Sequence, residues 1–210
     1  MEARTILLGD WSQSLRDPID LLRISYVIGV PVVWLARNDY PLNLTISAIA
    51  VIAIRFLLLP RAYDLAFCLG FGLTGWGDAL GLYEKIGFYD LIVHSLASFF
   101  FAPVLYILLA RADVLPDLKQ VSTAHHFIGV FVVTLALGLA VGAVWEMAEF
   151  TSDHFLGSNL AKGETDTATD LMVDGLGAVA GGALLVVWSR YGWGSVRRVP
   201  GENRREEVSA

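Results

Sequence analysis

Charge is scarce in this chain, and cysteine scarcer still. Only 17% of its 210 residues are Asp, Glu, Lys or Arg, against about a quarter in soluble domains. Hydrophobic residues make up 55% and mean hydropathy is +0.58. A soluble helical bundle needs polar residues returning every third or fourth position, and the apolar runs here lack them. The single cysteine, Cys68, lies inside an apolar run, which excludes a disulfide framework and a cysteine-based metal centre. The opening residues, MEARTILLGDWSQ, hold only a three-residue apolar stretch and no small-residue cleavage site, so no cleavable signal peptide is expected. Several catalytic signatures are missing too: HExxH, paired Glu-x-x-His repeats, a Walker loop, a glycine fingerprint on a strand, and GxSxG. The basic tail RRVPGENRREE reads as a cytoplasmic retention and lipid-headgroup signal, not as a nucleic-acid arm.

What the chain does have is apolar segments of about 16 to 24 residues, long enough to cross a bilayer. They predict helices over about 18–36, 42–59, 63–83, 88–110, 123–150 or beyond, and 167–191. Pro18 suits a first helical position, and Pro31 predicts a kink. The expected architecture is all-α: a polytopic membrane protein with one bundle of about six transmembrane helices over 18–191. A polar segment (1–17) precedes it, and a hydrophilic cytoplasmic tail (192–210) follows. With both termini cytoplasmic, twelve of the fifteen basic residues fall inside, and only Arg37, Lys85 and Lys162 fall outside. That asymmetry points to a multi-pass protein of the inner or plasma membrane. The first helix is its least regular member, being short and carrying Arg23.

This topology gathers acids at one rim. Asp90 and His94, four apart, share a helix face one turn from each other. Asp90 also suits a helix start, where an acid complements the dipole. A histidine flanked by Val93 and Leu96 inside a membrane needs a polar partner, which favours a metal-ligand or proton-transfer role for His94. Glu146 and Glu149, in WEMAEF, lie within about a turn of membrane-buried sequence; Asp153 and His154 read as solvated. Asp166, Asp170 and Asp174 recur at i, i+4, i+8 and cover roughly 12 Å of helix. Asp166 has an ordinary explanation as a helix-start acid, whereas Asp170 and Asp174 lie deeper. Gly138 and Gly142, like Gly177 and Gly181, form small-xxx-small pairs expected to draw the last two helices together. So many carboxylates cannot all be ionised side by side in a poor dielectric; a cation neutralises them or several hold protons. One imidazole among oxygens suits a divalent cation (Mg, Mn, Ca or Zn), and the spacing does not choose among these.

With YDLIVHSLASF, WEMAEF and DTATDLMVDGLGA in view, the chain resembles the YjdF-like inner-membrane proteins of bacteria and archaea, an uncharacterised family. It is more loosely similar to VanZ-like membrane proteins. The resemblance covers about residues 63–188 and carries Asp90, His94, Glu146, Glu149, Asp166, Asp170 and Asp174 onto the family pattern. It implies a site and no reaction. The expected function is a cation-binding acidic/His site at the outer membrane face, with His94, Glu146, Glu149, Asp166, Asp170 and Asp174 as metal ligands and His94, Asp90, Glu146, Glu149, Asp170 and Asp174 as catalytic groups. It would act on a lipid-linked or envelope substrate by metal-assisted or acid/base chemistry. An ion-coupled transporter and a non-catalytic polar network are the alternatives. The bilayer is the expected partner, nucleic acid is not, and oligomeric state is not legible.

Overall fold

The computed structural model describes residues 18–36, 41–57, 59, 61–118, 121, 123–157 and 163–191. The expectations for segments 1–17 and 192–210, and for Arg37, Lys119 and Lys162, lie outside these residues. Seven α-helices and no strand occur among the described residues. They are α1 (Pro18–Leu35), α2 (Pro41–Arg55), α3 (Arg61–Ala79), α4 (Leu82–Lys85), α5 (Tyr89–Arg111), α6 (Ala124–Leu156) and α7 (Glu164–Tyr191). Three of them, α5, α6 and α7, are long and apolar enough to cross a membrane, and α2 is a shorter apolar helix.

Local chemistry sets the boundaries. The third helix, expected to reach Tyr83, stops at Ala79 because Gly81 takes a left-handed φ of 65°. Its N–H donates to the Asp78 carbonyl at 2.8 Å, and a residue with a Cβ would be strained there. The single turn α4 follows. The second helix ends at Arg55 and not at Leu59, since the next amides switch to i−3 acceptors: Phe56 N–H to Ala53 O and Leu57 N–H to Ile54 O. Thr123 caps α6 by accepting from the His126 N–H at 3.3 Å. Left-handed Gly157 closes that helix after Leu156, six residues beyond Phe150. At 1.5 Å per residue its 33 residues reach roughly 50 Å, against a hydrocarbon layer of about 30 Å.

The helices form two compact units, α1–α3 and α4–α7. In the first, Ile19, Tyr26, Val33, Leu44, Ala48, Val51 and Cys68 build an apolar core. Arg23 is buried beside it, and each nitrogen of its guanidinium has an acceptor. Nε donates to the Val51 carbonyl at 2.9 Å, Nη1 to Asp20 at 2.8 Å, and Nη2 to Asp64. Arg55 Nε donates to the same Asp20 oxygen at 3.1 Å. The charge that made the first helix look irregular therefore ties α1 to α2 and α3.

In the second unit α7 packs along both α5 and α6. Gly142 of α6 leaves room for the Asp174 side chain of α7; a Cβ there would overlap the carboxylate. Gly177 of α7 lies so close to the Ser95 carbonyl of α5 that a Cβ would collide with backbone. The α7 glycine pair therefore receives α5, not α6 as the spacing suggested: Gly181 likewise faces Phe99 and Pro103. The α6 pair does meet α7, with Gly138 against Ala178. Outward positions are apolar in both units. Leu21, Ile24, Val27, Ile28 and Val32 are exposed on α1, Ile46 and Ile49 on α2, and Val144, Met147, Met172 and Leu176 on α6 and α7. This is the surface of a protein solvated by lipid.

Candidate metal centre

The first two turns of α5, the last third of α6 and the first three turns of α7 meet at one end of their unit. That brings together His94, Glu146 and Asp170, all buried, with Asp90, Glu149 and Asp166 partly buried around them. The i, i+4, i+8 row behaves as its spacing requires: Asp166 is partly exposed, while Asp170 and Asp174 are each 1% exposed. Apolar residues one or two positions away, Met147 on α6 and Met172 on α7, point outward. The acids therefore sit inside the unit at a level where its surface is hydrocarbon-like.

His94 orients the site. Its Nδ1 lies 3.1 Å from Asp174 Oδ2. An ionised Asp174 can only accept, and with that carboxylate charged the Nδ1 carries the hydrogen. The other oxygen of Asp174 accepts from Ser98 Oγ at 2.6 Å. Both partners of Asp174 thus come from one face of α5, where Ser98 stands one turn beyond His94. The His94 Nε2 is left aimed at the remaining acids, 3.6 Å from Glu146 Oε1 and 3.9 Å from Asp90 Oδ1. These are too long for hydrogen bonds. Two ligands on a tetrahedral ion at about 2.0–2.1 Å would stand roughly 3.3 Å apart. The indole edge of Trp145 covers the imidazole, with ring centroids 6.4 Å apart. The same indole N–H donates to Glu149 Oε1 at 2.8 Å.

Three buried atoms in this pocket have no hydrogen-bond partner: His94 Nε2, Glu146 Oε1 and Asp170 Oδ1. They come from three different helices. Buried polar atoms are nearly always satisfied, so a convergence of orphans marks a place built for something else. His94, Glu146 and Asp170 can each present a ligand atom within 4.8 Å of the others; so can Asp90, His94 and Glu149, and Asp90, Asp166 and Asp170. Of the seven residues singled out from the sequence, six belong to these groups. The seventh, Asp174, sits on the other side of the ring and holds it in place. Asp153 is partly exposed and His154 exposed against Phe150, apart from the groups. Sequence reasoning gave no role to Ser98 or Trp145. The signal for each was present: Ser98 is four residues after His94, and Trp145 four before Glu149.

Fold and pocket together define an all-helical membrane protein with a buried acidic/His cluster able to hold a metal ion. The chain belongs to the family described as "Predicted membrane protein (DUF2238)", whose model matches residues 21–191. The YjdF-like proteins indicated by the three motifs are this family. An "Uncharacterized protein" of Thermotoga maritima is 36% identical over 102 residues, 48% of this chain and 49% of its own. The chain thus spans about half the length of that relative. No solved structure matches.

Proposed function

We propose that this protein spans the inner or plasma membrane six times with both termini cytoplasmic. In this reading the His94 pocket is a divalent-cation centre at the outer leaflet, acting on a lipid-linked substrate. The topology rests on the twelve-to-three distribution of basic residues and on the apolar outward faces of α1, α2, α6 and α7. It puts the first turns of α5 and α7 and the last turns of α6 on the outer side, where a lipid headgroup meets the pocket.

The observation that carries the reading is the trio of buried, unpartnered donors from three helices: His94 Nε2, Glu146 Oε1 and Asp170 Oδ1. A single imidazole among carboxylates fits Mn²⁺ or Zn²⁺ better than the oxygen-only shells of Ca²⁺ or Mg²⁺. A bound cation would polarise a phosphoryl or carbonyl oxygen and acidify a bound water. Asp174 keeps the hydrogen on His94 Nδ1, so that Nε2 faces the pocket. Glu149, held by the Trp145 indole, is the group placed to take a proton.

Protein purified in detergent without chelator should carry stoichiometric metal by elemental analysis, and His94→Ala and Asp170→Asn should lose it. Glu149→Gln should keep the metal yet fail to restore the envelope-lipid profile, read by mass spectrometry, of a strain lacking the gene. A metal-free parent protein sinks the cation centre. Full restoration by His94→Ala leaves the pocket a structural network only.

A further inference from the structure

The pocket holds more donors than one ion needs, and their arrangement divides them. His94 can serve only one ion, since Nδ1 is committed to Asp174 and Nε2 alone faces the acids. The two groups containing His94 therefore describe one ion, drawing on Nε2, Glu146 and Asp170 with Asp90 and Glu149 in reach. The third group contains no histidine. Asp90 of α5 and Asp166 and Asp170 of α7 bring one oxygen each within 4.8 Å of one another. It shares Asp170 with the buried trio and Asp90 with the other histidine group, and Asp166 is its own. The Asp170 carboxylate is 1% exposed and its Oδ1 is unpartnered. A carboxylate has two oxygens and can bridge two cations, the arrangement that holds paired metals about 3.5–4 Å apart.

We propose that Asp90, Asp166 and Asp170 form a second cation site, bridged by Asp170 to the ion at His94; this rests on the His94 centre proposed above. The second site is made of oxygens alone and takes a hard divalent ion, Mg²⁺ or Mn²⁺. It lies toward the start of α7, where Asp166 is partly exposed. The outer ion is therefore the more exchangeable one, and the inner ion, sheltered by Trp145, the more retained.

Mn²⁺ tests this, because it suits both donor sets and is paramagnetic. Chelator-stripped protein in detergent micelles is titrated with Mn²⁺, with bound metal counted by equilibrium dialysis and the spin state read by electron paramagnetic resonance. The parent protein should saturate at two ions per chain, the six-line signal of the first ion collapsing into a coupled spectrum as the second binds. Asp166→Asn should saturate at one and keep the uncoupled signal, and Asp166→Glu should recover the second ion. Because Asp166 is partly exposed on the first turn of α7, the variant should elute and give circular dichroism like the parent. If it does not, Asp166→Ser carries the same expectation. A parent that saturates at one Mn²⁺ overturns the second site and leaves the His94 centre standing; one that binds none removes both. Two coupled ions in Asp166→Asn also overturn the assignment.

Discussion

Each helical unit buries a cluster of charge, and the two clusters work on opposite principles. Between α1, α2 and α3 two guanidinium groups meet two carboxylates, and each nitrogen of Arg23 has an acceptor. Of these four side chains, Asp20 alone has a fully buried atom without a hydrogen bond, its Oδ2. Between α5, α6 and α7 six carboxylates surround one imidazole, and the unpartnered atoms point at one another. Burial of charge alone does not announce a function: the first cluster is matched and works as a clamp. Mismatch does, because an apolar environment tolerates it only when something arrives to complete it.

Removing one side of the matched cluster should have the largest effect on stability. Arg23→Leu strands Asp64 in an apolar interior, and breaking a buried pair in this way costs about 3–5 kcal/mol. The denaturation midpoint in detergent should fall sharply, while the metal content of the folded fraction stays at the parent level. Replacing Arg23 and Asp64 together with Met and Leu should recover most of the loss, since a well-packed apolar pair often equals an ion pair. If Arg23→Leu melts with the parent protein, the two clusters do not differ as described.

The packing that builds the unmatched cluster is tested by two alanines two residues apart. Gly177→Ala drives a Cβ into the Ser95 carbonyl, a backbone atom that cannot swing aside. A loss of about 1–3 kcal/mol is expected, as for overpacked cores, together with weaker metal binding as α5 and α7 separate. Gly175→Ala meets only a Leu139 methyl at 3.5 Å, an ordinary contact. It should be neutral or gain up to about 1 kcal/mol of helix propensity. Thermal unfolding of the two variants side by side decides; equal behaviour would mean α5 and α7 are not pressed together at Gly177.

Much of the mismatched cluster was legible in the sequence because its geometry is local. Asp90 and His94, Glu146 and Glu149, and the aspartate row each lie within a few turns of one helix, and helical periodicity alone puts each set on one face. The acids also stood out against apolar surroundings. What periodicity could not supply was pairing between helices. Gly177 and Gly181 were visible as a close-packing face, but nothing in the chain said that α5 would fill it. Arg23 looked like a defect because Asp64, its partner, stands 41 residues away. Asp174 was grouped with its neighbours by spacing, and only the fold puts it behind the imidazole. The breaks after Arg55 and Ala79 were missed because they depend on amide acceptors and a left-handed glycine inside apolar sequence.

Ser98→Ala separates positioning from ligation. The hydroxyl's close hydrogen bond goes to Asp174 Oδ1, at 2.6 Å, and not to a member of the three donor groups; Asp174 in turn holds His94 Nδ1. Losing it leaves one oxygen of a buried carboxylate unsatisfied, worth about 1–3 kcal/mol at most, because Asp174 keeps its bond to the imidazole. Metal stoichiometry should be unchanged while affinity falls about tenfold, the lower end of what outer-shell partners of a ligating histidine contribute. Affinity should still rise with pH in the variant, since the same ligands must shed protons. Ser98→Thr keeps the hydroxyl and should restore affinity if the buried site accepts the extra methyl; Ser98→Cys, with its weak donor, should fall between. If Ser98→Ala binds metal as tightly as the parent protein, Asp174 does not steer the imidazole through this contact.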